Sequence, residues 1–171
     1  MNTKGLITSF ALDENTGENI RDLAEYYNES GLNELLIFDL SKNDEEHEMV
    51  ISKIKEFAQV CELNVYGAGN IDRMEDVKKL IYAGCKMAAL NLAKPSNIEL
   101  MEEVALKFGK DKIAVCLKTI AEYQENKEQI EKYASTLVCL NEEMLQVQAQ
   151  TPLKVLLKGE LERSEEHTSE L

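Results

Sequence analysis

The chain is short of positive charge. Its 19 lysines and arginines face 32 acidic residues, for a net charge of −13 and a pI near 4.7. No basic stripe interrupts that acidity, which argues against nonspecific binding to nucleic acid or to an anionic membrane. A small anionic ligand would need local donors, because the overall field repels it. Long apolar runs are also missing. The opening Met1-Asn2-Thr3-Lys4 does not lead into the run a signal peptide requires, and nothing approaches transmembrane length. The four cysteines, Cys61, Cys85, Cys116 and Cys139, are too widely spaced for a CxxC clamp. They read as reduced structural thiols, and the expected location is the cytoplasm. Asp44-Glu45-Glu46-His47-Glu48 lacks the HExxH spacing of a metal helix. It opens a helix instead, where acids favour the dipole, so neither a metal nor a cofactor is expected.

What the chain does have is a regular alternation. Apolar runs fall at Leu6–Leu12, Leu35–Leu40, Leu63–Tyr66, Met87–Leu92, Ile113–Leu117, Leu137–Leu140 and Leu153–Leu157. They are unbroken rather than alternating, as suits parallel strands covered on both faces. Helical periods lie between them: Ile20, Leu23, Ala24 and Tyr27, then Val50, Ile54 and Phe57, then Met74, Val77, Leu80 and Ile81. Lys94-Pro95-Ser96 stops the fourth strand. Ser96 to Glu99 reads as a capping box, with Ile98, Met101, Ala105 and Phe108 as the buried stripe and Gly109 as the stop. A fifth helix spans Ile120 to Tyr133, and a short sixth lies near Asn141 to Gln148. Tyr26, Tyr27, Tyr82 and Tyr133 read as packing residues.

Unbroken β-α order leaves a (β/α) barrel or a doubly wound, flavodoxin-like sheet. A complete eight-stranded barrel typically needs roughly 250 residues, whereas this chain has 171 and about seven strands. The preferred reading is an α/β fold, an incomplete (β/α) TIM barrel, whose first and seventh strands would be left as open edges prone to self-pairing. The last residues, Arg163-Ser164-Glu165-Glu166-His167-Thr168-Ser169-Glu170-Leu171, break the pattern. They read as the in-frame translation of a sequencing-library adapter, so the barrel is assigned to residues 1–162 and the tail 163–171 is treated as non-native.

Two consecutive βα turns carry the chemistry. Val65-Tyr66-Gly67-Ala68-Gly69-Asn70-Ile71 runs from a strand into a turn of small residues and a helix at Asp72-Arg73-Met74-Glu75, where Asp72 can cap with Glu75 in answer. The next strand ends at Asn91. Free backbone N–H groups at neighbouring strand ends make a seat for an oxyanion such as phosphate. Gly67, Ala68, Gly69, Asn70 and Asn91 are its candidate residues. Asp39 closes the second strand, where barrel enzymes place catalytic groups, and Asp13 lies just beyond the first.

These segments resemble the HisA/HisF family of histidine biosynthesis, which includes the cyclase subunit of imidazole glycerol phosphate synthase. Glu34-Leu35-Leu36-Ile37-Phe38-Asp39-Leu40-Ser41 is similar to its second strand, and Gly67-Ala68-Gly69-Asn70-Ile71 to its Gly-rich phosphate turn. Ala83-Gly84-Cys85-Lys86-Met87-Ala88-Ala89-Leu90-Asn91-Leu92-Ala93 resembles its fourth-strand region. The likeness is firm over about residues 31–118. It implies a TIM barrel and a phosphorylated sugar or nucleotide metabolite as ligand.

The departures bear on activity. The resemblance implies one Asp at the end of the first strand and another at the end of the fifth, acting as acid and base. Ala11 and Lys118 stand at the matching positions, and neither side chain can serve as a carboxylate base. Lys118 also lacks the flanking acid that would favour a Schiff-base role. The family's triple Gly is Ala68-Gly69-Asn70, and the hydroxyl residue after the fourth-strand Asn is Leu92. The wording of the chain around Phe38-Asp39-Leu40-Ser41 and Asn70 to Lys79 is most like the degenerate N-terminal domain of clostridial fusions, which precedes phosphoribosyl-AMP cyclohydrolase and phosphoribosyl-ATP pyrophosphohydrolase domains. The expectation is therefore a silent barrel partnered with C-terminal hydrolase domains. The alternatives are an active cyclase or isomerase using Asp39 and Asp13, and a flavodoxin-like binding module.

Overall fold

The computed structural model describes residues 5–159 except 14, 17 and 18. The anomalous tail and its His167 lie outside them. Seven parallel strands close into a barrel in sequence order: β1 (Leu6–Leu12), β2 (Glu34–Asp39), β3 (Asn64–Ala68), β4 (Met87–Asn91), β5 (Ile113–Leu117), β6 (Thr136–Cys139) and β7 (Lys154–Lys158). The helices between them are α1 (Ile20–Asn28), α2 (Asp44–Val60), α3 (Met74–Tyr82), α4 (Ser96–Phe108) and α5 (Ile120–Tyr133). The sixth helical segment, Glu142–Ala149, is a 3₁₀ helix.

Closure excludes the flavodoxin-like sheet and corrects the expectation of open edges. Leu6 pairs with Leu157 and Ile7 with Lys158. Leu157 N–H donates to Gly5 O at 2.8 Å and Gly159 N–H to Ile7 O at 2.9 Å. The seam is short, because β1 matches β2 over five residue pairs, Thr8 to Leu12 against Leu35 to Asp39, but β7 over two. It nonetheless satisfies the backbone groups that a bare edge would present to another chain.

Strand parity then sorts the side chains into two cores. Ile7, Leu36, Tyr66, Ala68, Met87, Ala89, Ala114, Cys116, Val138 and Leu156 fill the barrel. Outward residues such as Leu35, Ile37, Leu90, Val115 and Leu137 meet the helices through Val50, Ile54, Phe57, Val77, Leu80 and Met101. The unbroken apolar runs therefore follow from strands with one face in each core. Small interior residues at Ala68, Ala89, Ala114 and Cys116 suit the narrow bore of a ring with one strand fewer than the common eight.

Local details depart from the sequence expectation in several places. Asp72 does not cap α3. The Asp76 carboxylate instead accepts from the N–H groups of Asp72 at 2.9 Å and Arg73 at 3.0 Å. Ser96 is already helical and makes no cap bond. The fully buried stripe of α4 is Asn97, Leu100, Met101 and Val104; of the expected stripe Met101 belongs to it, and Ile98, Ala105 and Phe108 are partly buried against the same core. Tyr27 is buried and stacks on Phe10 with centroids 5.3 Å apart, whereas Tyr82 is 70% exposed and meets the Phe108 ring edge-on at 6.5 Å. All four cysteines are free thiols. Burial pushes Cys85 and Cys116 up to about 12 and Cys139 to about 11, so each stays protonated and inert.

Candidate functional site

In (β/α) barrels, functional groups collect where the strands end. At that mouth, the inward register carries Ala11 on β1, Phe38 on β2, Ala68 on β3 and Asn91 on β4, and continues to Lys118 after β5 and Leu140 after β6. Phe38 and Leu140 pack on the interior cluster, and Ala11, Asn91 and Lys118 are exposed. None of these six side chains is a carboxylate.

Asp39 is on the opposite register. Its side chain is 1% exposed and its Oδ2 lies 2.5 Å from Nδ1 of His47, on the first turn of α2. Its Oδ1 accepts from Ser41 N–H at 2.8 Å. Asp13 forms a local turn: its Oδ1 accepts from Asn15 N–H at 2.9 Å and from the Thr16 hydroxyl at 3.2 Å. The two weak catalytic candidates thus hold separate sets of bonds, and Asp39 faces a helix rather than the bore.

The expected phosphate residues have structural duties as well. A Cβ on Gly67 would lie 2.6 Å from Leu80 Cδ2, so its absence lets α3 sit against the barrel. Gly69 has φ +85°, and a Cβ there would stand 2.6 Å from the Asp39 carbonyl oxygen. Asn70, at φ 54°, turns its amide onto the neighbouring loop: Nδ2 donates to Ser41 O at 2.8 Å, to Ser41 Oγ at 3.1 Å and to Asp39 O at 3.2 Å. Ala68 points into the bore. Asn91 accepts from Ala93 N–H at 2.9 Å through Oδ1, and its carbonyl accepts from Asn97 Nδ2 at 2.9 Å. Its own Nδ2 donates to none of the described residues.

The acids at the start of α2 disperse. Glu46 braces the loop, accepting from Lys42 N–H at 3.1 Å and Asn43 Nδ2 at 2.7 Å, while Glu48 pairs with Lys79. The Lys79 hydrogen bond holds the Glu48 carboxyl below its usual range. Among the described residues no group of three or more His, Cys, Asp or Glu side chains is placed to hold a metal ion. Nor is any described helix long and apolar enough to cross a membrane.

Residues 9–157 match the family model described as histidine biosynthesis protein. The chain belongs to that family. Among curated HisA/HisF relatives, the imidazole glycerol phosphate synthase subunit HisF of Staphylococcus aureus strain Newman is 31% identical over 96 residues, covering 56% of this chain and 38% of the relative. The same subunit of strains USA300 and COL matches to the same extent. The aligned stretch spans about two-fifths of these relatives.

Sequence reasoning missed the Asp39–His47 pair. The signal was present: Asn43 and Glu46 fix where α2 begins, and that start places residue 47 one turn in, over the end of β2. The acids on either side of His47 in sequence mask it.

Proposed function

We propose that this chain is a catalytically silent HisA/HisF-family barrel that keeps a seat for the phosphoryl group of a sugar or nucleotide metabolite. In this reading it is the N-terminal part of a longer cytoplasmic protein whose C-terminal domains are the phosphoribosyl-AMP cyclohydrolase and phosphoribosyl-ATP pyrophosphohydrolase. Residues 163–171 are not native to it. The observation that carries the reading is the mouth itself. Its inward register offers Ala11 and Lys118 where the family resemblance calls for an acid and a base, and Asp39 is turned outward onto His47. Proton transfer at a bound substrate needs a titratable group within hydrogen-bond reach. Here the strand ends provide amide and cationic donors without an opposing carboxylate.

A phosphoryl group would sit between the β3 and β4 turns. The free Asn91 amide and the Lys118 amine face the same mouth and supply donors. Ribose 5-phosphate titration, followed by calorimetry, tests this seat. Binding that weakens about tenfold in Asn91→Asp supports it, since one charge-assisted hydrogen bond is replaced by repulsion. Equal, negligible binding by both proteins removes it. Silence is tested separately in the longer protein: cyclisation or isomerisation turnover that vanishes when this region alone is altered would overturn it.

A further inference from the structure

Six of the seven strand contacts in the ring run over three to five residue pairs, and the β1–β7 seam over two. Register with β1 begins at Leu157. The first three residues of β7, Lys154 to Leu156, pair with Thr136 to Val138 of β6 and with no described residue of β1. Backbone pairing therefore holds the foot of β7 from one side. A side-chain contact crosses the gap. Glu34 opens β2 and Lys154 opens β7, at the end of the barrel opposite the mouth. Glu34 shares parity with Leu36, and Lys154 with Leu156, so both stand on the inward register. Lys154 Nζ donates to Glu34 Oε1 at 2.7 Å. Since β1 is the strand between β7 and β2, the pair ties together its two neighbours.

The two partners are unequal. The Glu34 side chain is 7% exposed and that of Lys154 50%. Among the described residues Lys154 is the one group that donates to the Glu34 carboxylate, whose Oε2 is buried without a partner. The Tyr66 hydroxyl is a buried neighbour and completes no hydrogen bond of its own. Burial, and after it the Glu34 charge, push that hydroxyl above its usual range, so it stays protonated and adds no charge. No other charged side chain among the described residues forms an ion pair with either partner. The carboxylate thus depends on a single cation. Without it, the closed ring would enclose an uncompensated charge, which is costly. Parting β1 from β7 would let water reach the carboxylate and relieve that cost. Glu34 is therefore satisfied in two ways, paired in a shut ring or hydrated in an open one.

We propose that the Lys154–Glu34 pair is a latch that holds the β1–β7 seam shut, and that its release opens the ring there while the other six strand pairs stay intact. Opening is then a local event of β7 and β1, governed by one charge pair at the foot of the barrel. The latch is separate from the phosphoryl seat and does not rest on it.

Amide hydrogen exchange in the full chain tests the latch, because two amides report the seam directly. Leu157 N–H donates to Gly5 O, and Gly159 N–H to Ile7 O. Reference amides lie elsewhere in the ring: Lys86 N–H donates to Val65 O, and Leu140 N–H to Leu117 O. Lys154→Met should speed exchange at Leu157 and Gly159 at least about tenfold, the worth of one charged hydrogen bond, and leave Lys86 and Leu140 unchanged. Glu34→Gln removes the charge but keeps the shape, and should act in the same direction by a smaller factor. Lys154→Arg should keep the parent's rates. If Lys154→Met fails to fold, Glu34→Gln decides by the same ratio of seam to reference rates. Seam amides indifferent to loss of the charge overturn the proposal. So does equal acceleration of seam and reference amides, which would make the pair a support of the whole fold.

Discussion

The mouth of the barrel and the rim beside it are built on opposite plans. At the mouth, Ala11 on β1 and Lys118 after β5 are exposed, and Leu140 after β6 packs on the interior cluster. At the rim, Asp39, Ser41, His47 and Asn70 interlock through bonds of 2.5 to 3.2 Å, Asp76 separately holds the Asp72 and Arg73 amides, and most of these residues are buried. The mouth is where family chemistry would need exact polar groups, and it is sparse. The rim is where the fold needs the β2–α2 and β3–α3 turns held together, and it is dense.

That contrast can be broken most forcefully at Gly69. Gly69→Val puts a branched side chain at φ +85° and drives its Cβ into the Asp39 backbone, and should cost about 3 kcal/mol or more, read as a lower urea midpoint. Next comes His47→Ala, which leaves the Asp39 carboxylate, 1% exposed, with the Ser41 amide as its remaining hydrogen-bond donor among the described residues. It should destabilise by about 2 kcal/mol, measured in the same titration. Gly31→Ala sharpens the point. Gly31 shares a positive φ of +80°, but a Cβ there meets nothing within 4 Å, so the cost should be the backbone term alone, about 1 kcal/mol. Smallest of all, Ala11→Asp at the exposed mouth should stay within about 0.5 kcal/mol of the parent. A mouth variant as damaging as the rim variants would erase the distinction between the two regions.

Closure at the β1–β7 seam removes the geometric basis for expecting self-association through open strand edges. Two residue pairs and two flanking hydrogen bonds complete the ring. The seam is still the thinnest part of the barrel, and amides on β7 are expected to exchange faster than those on β2.

The sequence determined the alternation of strands and helices, because unbroken apolar runs and helical stripes each bury in only one way. It also carried the family likeness from β2 to β5, and the absence of carboxylates at positions 11 and 118. Helix starts were less legible. Asp72 and Asp76 both lie near the first turn of α3, and only the path of the chain selects Asp76 as the cap. Tertiary structure alone decided that seven strands close, since closure depends on strand tilt and on small residues at Ala68, Ala89 and Ala114 meeting across the bore. It also decided where Asp39 points. A residue at a strand end can face the bore or a helix, and parity against Leu36 and Phe38 sends this one outward to His47, eight residues away in sequence.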